Sequence, residues 1–174
     1  MRELSRDIRA SVLNFEELQP KTQFLLGCAS RARLNAQAPY SHYLVGAAVL
    51  DVNGRVHIGC NVERCSFTQT THAEQSAVDA MVAAWGSVKI EAVAMVNGSA
   101  DKKIVFPPKR VGSAIMSIDK ASAPCGHCLQ VIWENCFNDP NVPLISLAGN
   151  GEVVITTIGD VFPMRFGPND LGIQ

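Results

Sequence analysis

The chain has 174 residues, of which 47% are hydrophobic and 18% are charged, and its formal net charge at pH 7 is −1. This length suits a single domain, residues 1–174, and the near-zero charge gives no bulk attraction for a nucleic acid. No apolar run approaches the roughly 20 residues of a membrane span, and the mixed charges of residues 1–18 argue against a signal peptide. The expected compartment is therefore the cytoplasm, with the six cysteines as reduced thiols.

The first predicted element is a helix. A capping-box pattern over Asn14 to Glu17 indicates its start, and Pro20 suits a position in the first turn. Helical spacing of apolar residues continues from Leu18 to about Gln37, and Pro39 then ends the helix.

A hairpin and a second helix are expected next. The runs Tyr43 to Leu50 and Arg55 to Gly59 have the composition of strands, and the intervening Asn53-Gly54 is a strong hairpin signal. After a loop, Thr71 can cap a helix whose apolar side continues to Trp85.

The second half of the chain predicts three more strands and one helix. Ile90 to Val96 is almost entirely apolar, as expected for a strand in the middle of a covered sheet. The long segment 97–123 has no clear assignment, and a helix with one apolar face follows it, over about 125–137. The strands Val142 to Leu147 and Glu152 to Ile158 are joined by a turn too short for a crossover helix, which predicts an antiparallel pair. The pattern indicates a mixed sheet with helices on its faces.

Two helix starts carry the residue types of a metal site. Cys125 and Cys128 stand three residues apart at the start of one helix, where the helix dipole favours the thiolate that binds metal. His72 and Glu74 open the other helix. We interpret the two helix starts as facing each other across one zinc ion.

Each of these residues also has an ordinary explanation. Glu74 stands three residues after Thr71, which is a plain capping-box spacing, and a lone histidine at a helix start is more often hydrogen-bonded than a ligand. A lone Cys-x-x-Cys pair also suits a redox pair or half of a structural zinc site. A structural site would need a fourth ligand, for which the candidates are Cys28, Cys60 and Cys65.

Taken together, the residues favour a catalytic zinc. His72, Cys125 and Cys128 supply three ligands without an obvious fourth, and three protein ligands with an open position are typical of catalytic zinc. Glu74 lies near the metal without being needed to bind it, so it is available as an acid–base group for a water molecule.

The combination of His-x-Glu with Pro-Cys-x-x-Cys is typical of zinc-dependent nucleobase deaminases, and the chain resembles the cytidine deaminase family. Several further segments resemble that family and occur in the same order. The similar segments, which include the two metal-binding motifs, are Ala38 to Ala48, Asn61 to Glu63, Thr71 to Ala77, Pro124 to Gln130, and the tail around Phe162 to Leu171.

The resemblance implies a three-layer α-β-α sandwich with a five-stranded mixed sheet whose last two strands are antiparallel. It implies zinc-dependent hydrolytic deamination of cytidine or deoxycytidine to uridine or deoxyuridine and ammonia, as in pyrimidine salvage. Zn²⁺ would be held by His72, Cys125 and Cys128, and Glu74 would transfer protons between water, the ring nitrogen and the departing ammonia.

The resemblance also implies how a small-molecule nucleoside is bound. Asn61 and Glu63 match the ribose-binding motif, the backbone at Ala73 would hold the base, and Tyr43 would lie near the base. Single-domain members of this family are usually tetramers in which a tail phenylalanine, here Phe166, stacks on the base in a neighbouring subunit's pocket. A homo-oligomer, a tetramer or else a dimer, is therefore expected, with no nucleic-acid or membrane partner.

Three positions depart from the family pattern. Leu129 stands where a basic residue is usual, Arg64 where asparagine is usual, and Tyr43 where phenylalanine is common. Gln75 follows Glu74 where relatives with three cysteine ligands often carry arginine, which suits a site with a histidine ligand and less negative charge.

Three other functions stay open at this point. One is deamination of a nucleotide or an RNA, which the predicted antiparallel terminal hairpin opposes. Another is deamination of a modified cytidine or a cytosine-nucleoside antibiotic, and the departures leave that open. The last is a zinc-stabilised binding module without activity, which the carboxylate of Glu74 and the missing fourth ligand oppose.

Overall fold

The structure is a computed structural model in which residues 1–172 are described. Six strands form one sheet in the order β1-β6-β5-β4-β2-β3. The strands and helices are β1 Ser11–Leu13, α1 Pro20–Arg33, β2 Tyr43–Asp51, β3 Val56–Cys60, α2 Ala73–Trp85, β4 Ile90–Ser99, α3 Gly126–Asn135, β5 Pro143–Leu147, β6 Val153–Thr157 and α4 Ile158–Val161. Within residues 1–172, no helix is both long enough and apolar enough to cross a bilayer.

The sheet is mixed, as predicted. The central pair β4 and β5 is parallel, whereas β2 pairs antiparallel with both β3 and β4. The hairpin between β2 and β3 turns at Gly54, whose φ of 79° lies in the region that favours glycine. The last two strands, β5 and β6, are antiparallel, so this part of the predicted topology is confirmed.

The prediction of five strands was wrong, because β1 adds a sixth strand at the edge of the sheet. Its three residues pair antiparallel with β6, from Ser11 opposite Ile155 to Leu13 opposite Val153. A three-residue strand is too short to show a period of two, and it forms here because β6 offers unpaired backbone groups at an open edge.

The first helix also begins later than predicted. The capping box of Asn14 and Glu17 is present, but it belongs to a separate 3₁₀ turn, Phe15–Glu17. Gln19 has extended backbone angles (φ −62°, ψ 148°), and α1 begins at Pro20. A residue that precedes proline is disfavoured in the α conformation, which explains why the turn and the helix are separate.

Helices cover both faces of the sheet and give the three predicted layers. Alternate residues of β2 point to opposite faces: Ala48 and Leu50 pack with α1, whereas Ala47 and Val49 pack with α2 and α3. The three-layer α-β-α architecture is therefore confirmed. The helices that carry the candidate metal ligands lie side by side on one face.

Two strand glycines let the helices approach the sheet closely. A Cβ atom on Gly46 of β2 would collide with the α1 backbone at Ala29 and Arg33. A Cβ atom on Gly59 of β3 would collide with the α2 backbone at Ala73 and Ala77. Because Ala73 begins α2, Gly59 determines how close the helix start that carries His72 and Glu74 can lie to the sheet.

We expect Gly59→Ala to push the start of α2 away from β3 and to weaken metal binding as well as stability. Overpacking a tight contact costs about 1–3 kcal/mol, and this contact is with backbone that has no rotamer to change. Gly149→Ala is the control, since a Cβ atom there meets no atom within 4 Å. Chemical denaturation and zinc content of both variants provide the measurement, and a Gly59→Ala protein with normal values of both would contradict the prediction.

Candidate active site

The starts of α2 and α3 place the three candidate metal ligands. His72 is the N-cap residue of α2, Cys125 is the N-cap residue of α3, and Cys128 lies in the first turn of α3. Because both helices pack on the same face of the sheet, their N-termini meet. The sequence expectation that the two helix starts face each other is thus met by the structure.

The three ligand atoms converge on one point. The Nδ1 atom of His72 lies 3.3 Å from the Sγ atom of Cys125 and 3.3 Å from the Sγ atom of Cys128. Ligands at zinc–nitrogen and zinc–sulfur bond lengths in a tetrahedron are about 3.5 Å apart. The residues therefore fit a zinc ion, with Nδ1 as the histidine ligand atom.

The fourth coordination position is not filled by a protein ligand. Among residues 1–172, the only group of three or more potential ligand residues with ligand atoms within 4.8 Å of one another is His72, Cys125 and Cys128. Cys60, one of the candidates for closing the site, instead contacts the carbonyl oxygen of Asn35 at 3.5 Å. A set of three ligands with an open position suits catalysis better than a structural role.

Glu74 is not explained by helix capping. Helix α2 is capped by His72, without a side-chain capping bond, and Thr71 instead pairs with Val62 in an isolated β-bridge. The expectation that Thr71 caps the helix was wrong, because this bridge holds Thr71 in extended backbone. Only 5% of Glu74 is exposed, yet it lines the open cleft beside the three ligands.

The environment of Cys128 shows that the protein alone does not stabilise a thiolate there. Burial raises the pKa of the Cys128 thiol well above its usual range, and the negative charges of Glu74 and Cys125 raise it further. The sequence suggested that the helix N-terminus favours the thiolate, whereas the net shift of the Cys128 pKa is upward. A bound cation would reverse the balance, because a coordinating thiol is deprotonated by the metal charge.

Two of the three ligands, His72 and Cys125, line a cleft of about 470 Å³, whereas Cys128 is buried behind it. Most of the other predicted site residues lie in its wall, including Glu74, and Phe166 does not line it. The residues that line the cleft are Ser41, Tyr43, Val45, Asn61, Glu63, Thr70, His72, Ala73, Glu74, Met95, Asn97, Ser122, Ala123 and Cys125.

Asn61 and Glu63 are held rigidly at one end of the cleft. The Asn61 side chain accepts from the Val45 amide at 2.8 Å and donates to the Tyr43 carbonyl at 2.9 Å. The Glu63 carboxylate accepts bonds from the Ser41 hydroxyl and the Tyr40 and Ser41 amides, and these bonds lower its pKa. Both side chains keep unused hydrogen-bonding capacity, one amide proton on Asn61 and one lone pair on Glu63.

The Tyr43 hydroxyl has a partner that the sequence did not reveal. It donates to Oδ1 of Asn97 at 3.0 Å, and the hydroxyl of Ser122 contacts the same oxygen at 3.3 Å. Asn97 and Ser122 both line the cleft. The sequence gave one indication of these two residues, because both lie near the ends of the long segment 97–123, which had no assigned structure.

Phe166 lies outside the cleft of its own chain. The tail is fixed to α3, since the carbonyl oxygen of Phe166 accepts from Gln130 at 3.0 Å and Arg165 stacks on the Trp133 ring at 4.2 Å. The Phe166 side chain is nevertheless 57% exposed. The alternative that this ring packs into its own domain is therefore not what the structure shows.

Besides Tyr43, two other positions depart from the family pattern, Leu129 and Arg64, and these two and Gln75 have different surroundings. Leu129 belongs to the buried core under the two helices, so an apolar contact replaces any polar support of the ligands at that point. Arg64 bonds locally, through its guanidinium to the carbonyl oxygen of Glu63 at 3.2 Å. Gln75 contacts the ring of His127 at 3.2 Å, which links the two helix starts beside the metal ligands.

Zinc binding to the metal-free protein is expected to release at least one proton, because Cys128 is a neutral thiol before the metal binds. Its raised pKa means that the proton is bound at neutral pH and leaves with coordination, so zinc affinity should rise about tenfold per pH unit for each proton released. Calorimetric zinc titrations in two buffers of different ionisation enthalpy measure the proton count.

The Cys136→Ala variant controls for that measurement. Cys136 is a second buried thiol, with a pKa raised to about 11, and it lies outside the ligand set. Proton release should be unchanged in this variant. A zinc affinity that does not vary between pH 6 and pH 8 would contradict the assignment of Cys128 as a ligand.

The comparisons with known proteins agree with this geometry. Residues 19–142 match the family model of the cytidine and deoxycytidylate deaminase zinc-binding region. A cytidine deaminase of Mycobacterium tuberculosis is 34% identical over 153 residues, covering 84% of this chain and 90% of the relative. A cytidine deaminase of Sporosarcina psychrophila is 32% identical over 147 residues, covering 84% and 92%.

Solved structures show the same likeness. The crystal structure of cytidine deaminase from Burkholderia pseudomallei aligns with a TM-score of 0.61 and 31% identity, covering 82% of this chain and 97% of that one. The cytidine deaminase structure from Mycobacterium tuberculosis gives 0.59 and 32%, covering 84% and 97%. The family match spans most of the chain and includes the two helix starts with their ligands, so this chain belongs to the cytidine deaminase family and carries its zinc-binding region.

Proposed function

We propose that this chain is a zinc-dependent hydrolase that converts cytidine or deoxycytidine and water to uridine or deoxyuridine and ammonia. The observation that carries the proposal is the convergence of the ligand atoms of His72, Cys125 and Cys128 at the edge of an open cleft that the buried residue Glu74 lines. A zinc ion bound there supplies Lewis acidity, which makes water nucleophilic at neutral pH.

Glu74 is the group that moves protons. It projects from the first turn of α2, one residue after Ala73 and two after His72, so its carboxylate lies beside both the metal ligands and the substrate cleft. We assign it to accept the proton of the attacking water and to deliver it to the ring nitrogen. It then takes the second proton of the former water, from the hydroxyl now on the ring carbon, and delivers it to the amine as the C–N bond breaks and the carbonyl forms. One carboxylate thus serves as base and acid in turn.

The remaining cleft residues bind the substrate. Asn61 and Glu63 each keep one free hydrogen-bonding position for a ribose hydroxyl, and the backbone at Ala73 lies where it can hold the base. Tyr43 lies near the base, with its hydroxyl already hydrogen-bonded to Asn97.

Free cytosine, which lacks the ribose, tests the assignment of Asn61. The variant Asn61→Ala is expected to lower turnover of cytidine more than turnover of cytosine. If it lowers both equally, the residue does not bind the sugar.

The alternatives have less support. A binding module without activity would not need a buried carboxylate facing the open metal position. An RNA deaminase is opposed by the net charge of −1. The antiparallel β5 and β6 also distinguish the chain from those nucleotide and RNA deaminases whose last two strands are parallel. Deamination of a modified cytidine requires space and polar groups beyond the cleft, and the structure offers both.

We infer that the active protein is a homo-oligomer, a tetramer or else a dimer, in the cytoplasm, where it serves pyrimidine salvage. Phe166 is exposed on a fixed tail, and the aromatic pair Tyr40 and Phe67 (ring centroids 5.4 Å apart) is also largely exposed. Such aromatic surface is favourably buried between subunits. In such an oligomer, Phe166 of a neighbouring subunit covers the open side of the cleft.

Glu74→Gln is expected to retain zinc and fold but to lose turnover of cytidine by about a hundred- to ten-thousand-fold, since the amide cannot shuttle protons. Glu134→Gln on the exposed side of α3 is the matched control and should be normal. Zinc content, thermal unfolding and the ultraviolet change of the ring are measured for both variants. Near-normal turnover by Glu74→Gln would refute the mechanism.

Mixing subunits tests whether Phe166 completes a neighbour's site. Chains with Glu74→Gln and chains with Phe166→Ala are each expected to be weakly active, whereas mixed oligomers should regain activity. The reason is that some mixed sites combine an intact Glu74 with an intact Phe166 from the other chain. Phe24→Ala, which removes another exposed phenylalanine, serves as the control. Full activity of a protein that stays monomeric at the assay concentration would refute the shared site.

A further inference from the structure

A second cleft adjoins the active-site cleft. Its volume is about 740 Å³, and its walls are formed by the segment after β4 and by the turn between β5 and β6. Tyr43, Asn97 and Ser122 line both clefts. The two spaces are therefore neighbours that meet at this network of three hydrogen-bonded side chains.

The segment after β4, which forms one wall of the second cleft, contacts the domain core at two points. Phe106 packs edge-on against Phe15 at a centroid distance of 5.1 Å, within the core under α1. The buried carboxylate of Glu152 accepts from the backbone amide of Ile115 at 2.8 Å. Because these contacts come from two separate points along the segment, the cleft has a defined shape.

Positive charge dominates this cleft. Lys102, Lys103 and Lys109 line it, no acidic side chain lines it, and none of the three lysines forms an ion pair in the described part of the chain. Two acidic residues lie nearby in the chain but do not line the cleft: Glu152, which is buried and pairs with Arg110 at 3.5 Å, and Asp101. On a chain with a net charge of −1, this is a local concentration of cations.

The junction between the clefts is suited to a substrate that extends through it. Asn97 lines both clefts and Ser99 lines only the second, two residues further along β4. Two residues of a strand span about 7 Å, so a substituent on a bound nucleoside has a short distance to cross. The carboxamide of Asn97 accepts from two hydroxyls through Oδ1, which leaves its NH₂ group as a fixed donor at the crossing.

We propose that the second cleft binds an anionic substituent of the substrate, so that the chain prefers a cytidine that carries a negative charge. The proposal rests on the proposed function and adds to it a subsite lined by Lys102, Lys103 and Lys109. A phosphate of a nucleotide and a carboxylate on a modified base share the chemistry that three lysines recognise. The deamination itself is unchanged, because the charged group does not take part in it.

The test compares three substrates: cytidine, cytidine 5′-monophosphate and 5-carboxycytidine. Turnover (kcat/KM) and equilibrium binding are measured for each at low and high salt. At low salt, the ratio of an anionic substrate to cytidine should exceed one, and it should fall about tenfold in the double variant Lys102→Gln/Lys103→Gln and further with Lys109→Gln. Preference for the phosphate or for the carboxylate identifies the source of the charge.

The matched control is Lys21→Gln/Lys120→Gln, which changes net charge equally without altering the lining. This control should keep the wild-type ratio, and turnover of uncharged cytidine should be the same in all variants. If cytidine is deaminated but neither anion is bound or turned over in a manner that depends on the three lysines, the subsite is refuted and the proposed function stands. If no cytidine is deaminated, the proposed function fails, and lysine-dependent binding of either anion still decides whether the subsite exists.

Discussion

The meeting of two helix N-termini is the constraint on which the rest of the site depends. His72 and Cys125 cap α2 and α3, and their ligand atoms can share one ion only if both helices start at the same height above the sheet. Gly59 makes that height possible for α2, because its missing side chain lets the helix backbone approach β3. Packing of both helices on the same face of the sheet therefore determines where the two helix starts lie relative to each other.

The same constraint explains the charges in the site. The helix N-termini alone do not keep Cys128 ionised, because burial and the neighbouring Glu74 raise its pKa. A divalent cation compensates for two thiolates, and a neutral histidine adds no further negative charge. Glu74 is then the carboxylate that is not needed to balance the metal charge, which suits the proton transfer proposed for it.

The region beyond the metal ligands contains the cleft that Glu74 lines and a second cleft beside it. The family model matches residues 19–142, a range that includes α2, α3 and the segment between β4 and α3. The segment between β4 and α3 forms a second cleft, fastened by Phe106 and Glu152 to separate parts of the core. In the proposed function the helix starts carry the reaction chemistry, and the segment between β4 and α3 contributes to the choice of substrate.

The sequence by itself pointed to His72, Cys125 and Cys128 as the candidate metal ligands and to Glu74 beside them, because short local motifs at helix starts carry these residues. It also predicted the hairpins and the three layers, since turn chemistry and apolar periodicity are local. Only the tertiary structure decided that β1 joins the sheet, that Thr71 does not cap α2, and that Asn97 accepts the Tyr43 hydroxyl. Those outcomes depend on contacts between segments far apart in the chain, which no local pattern encodes.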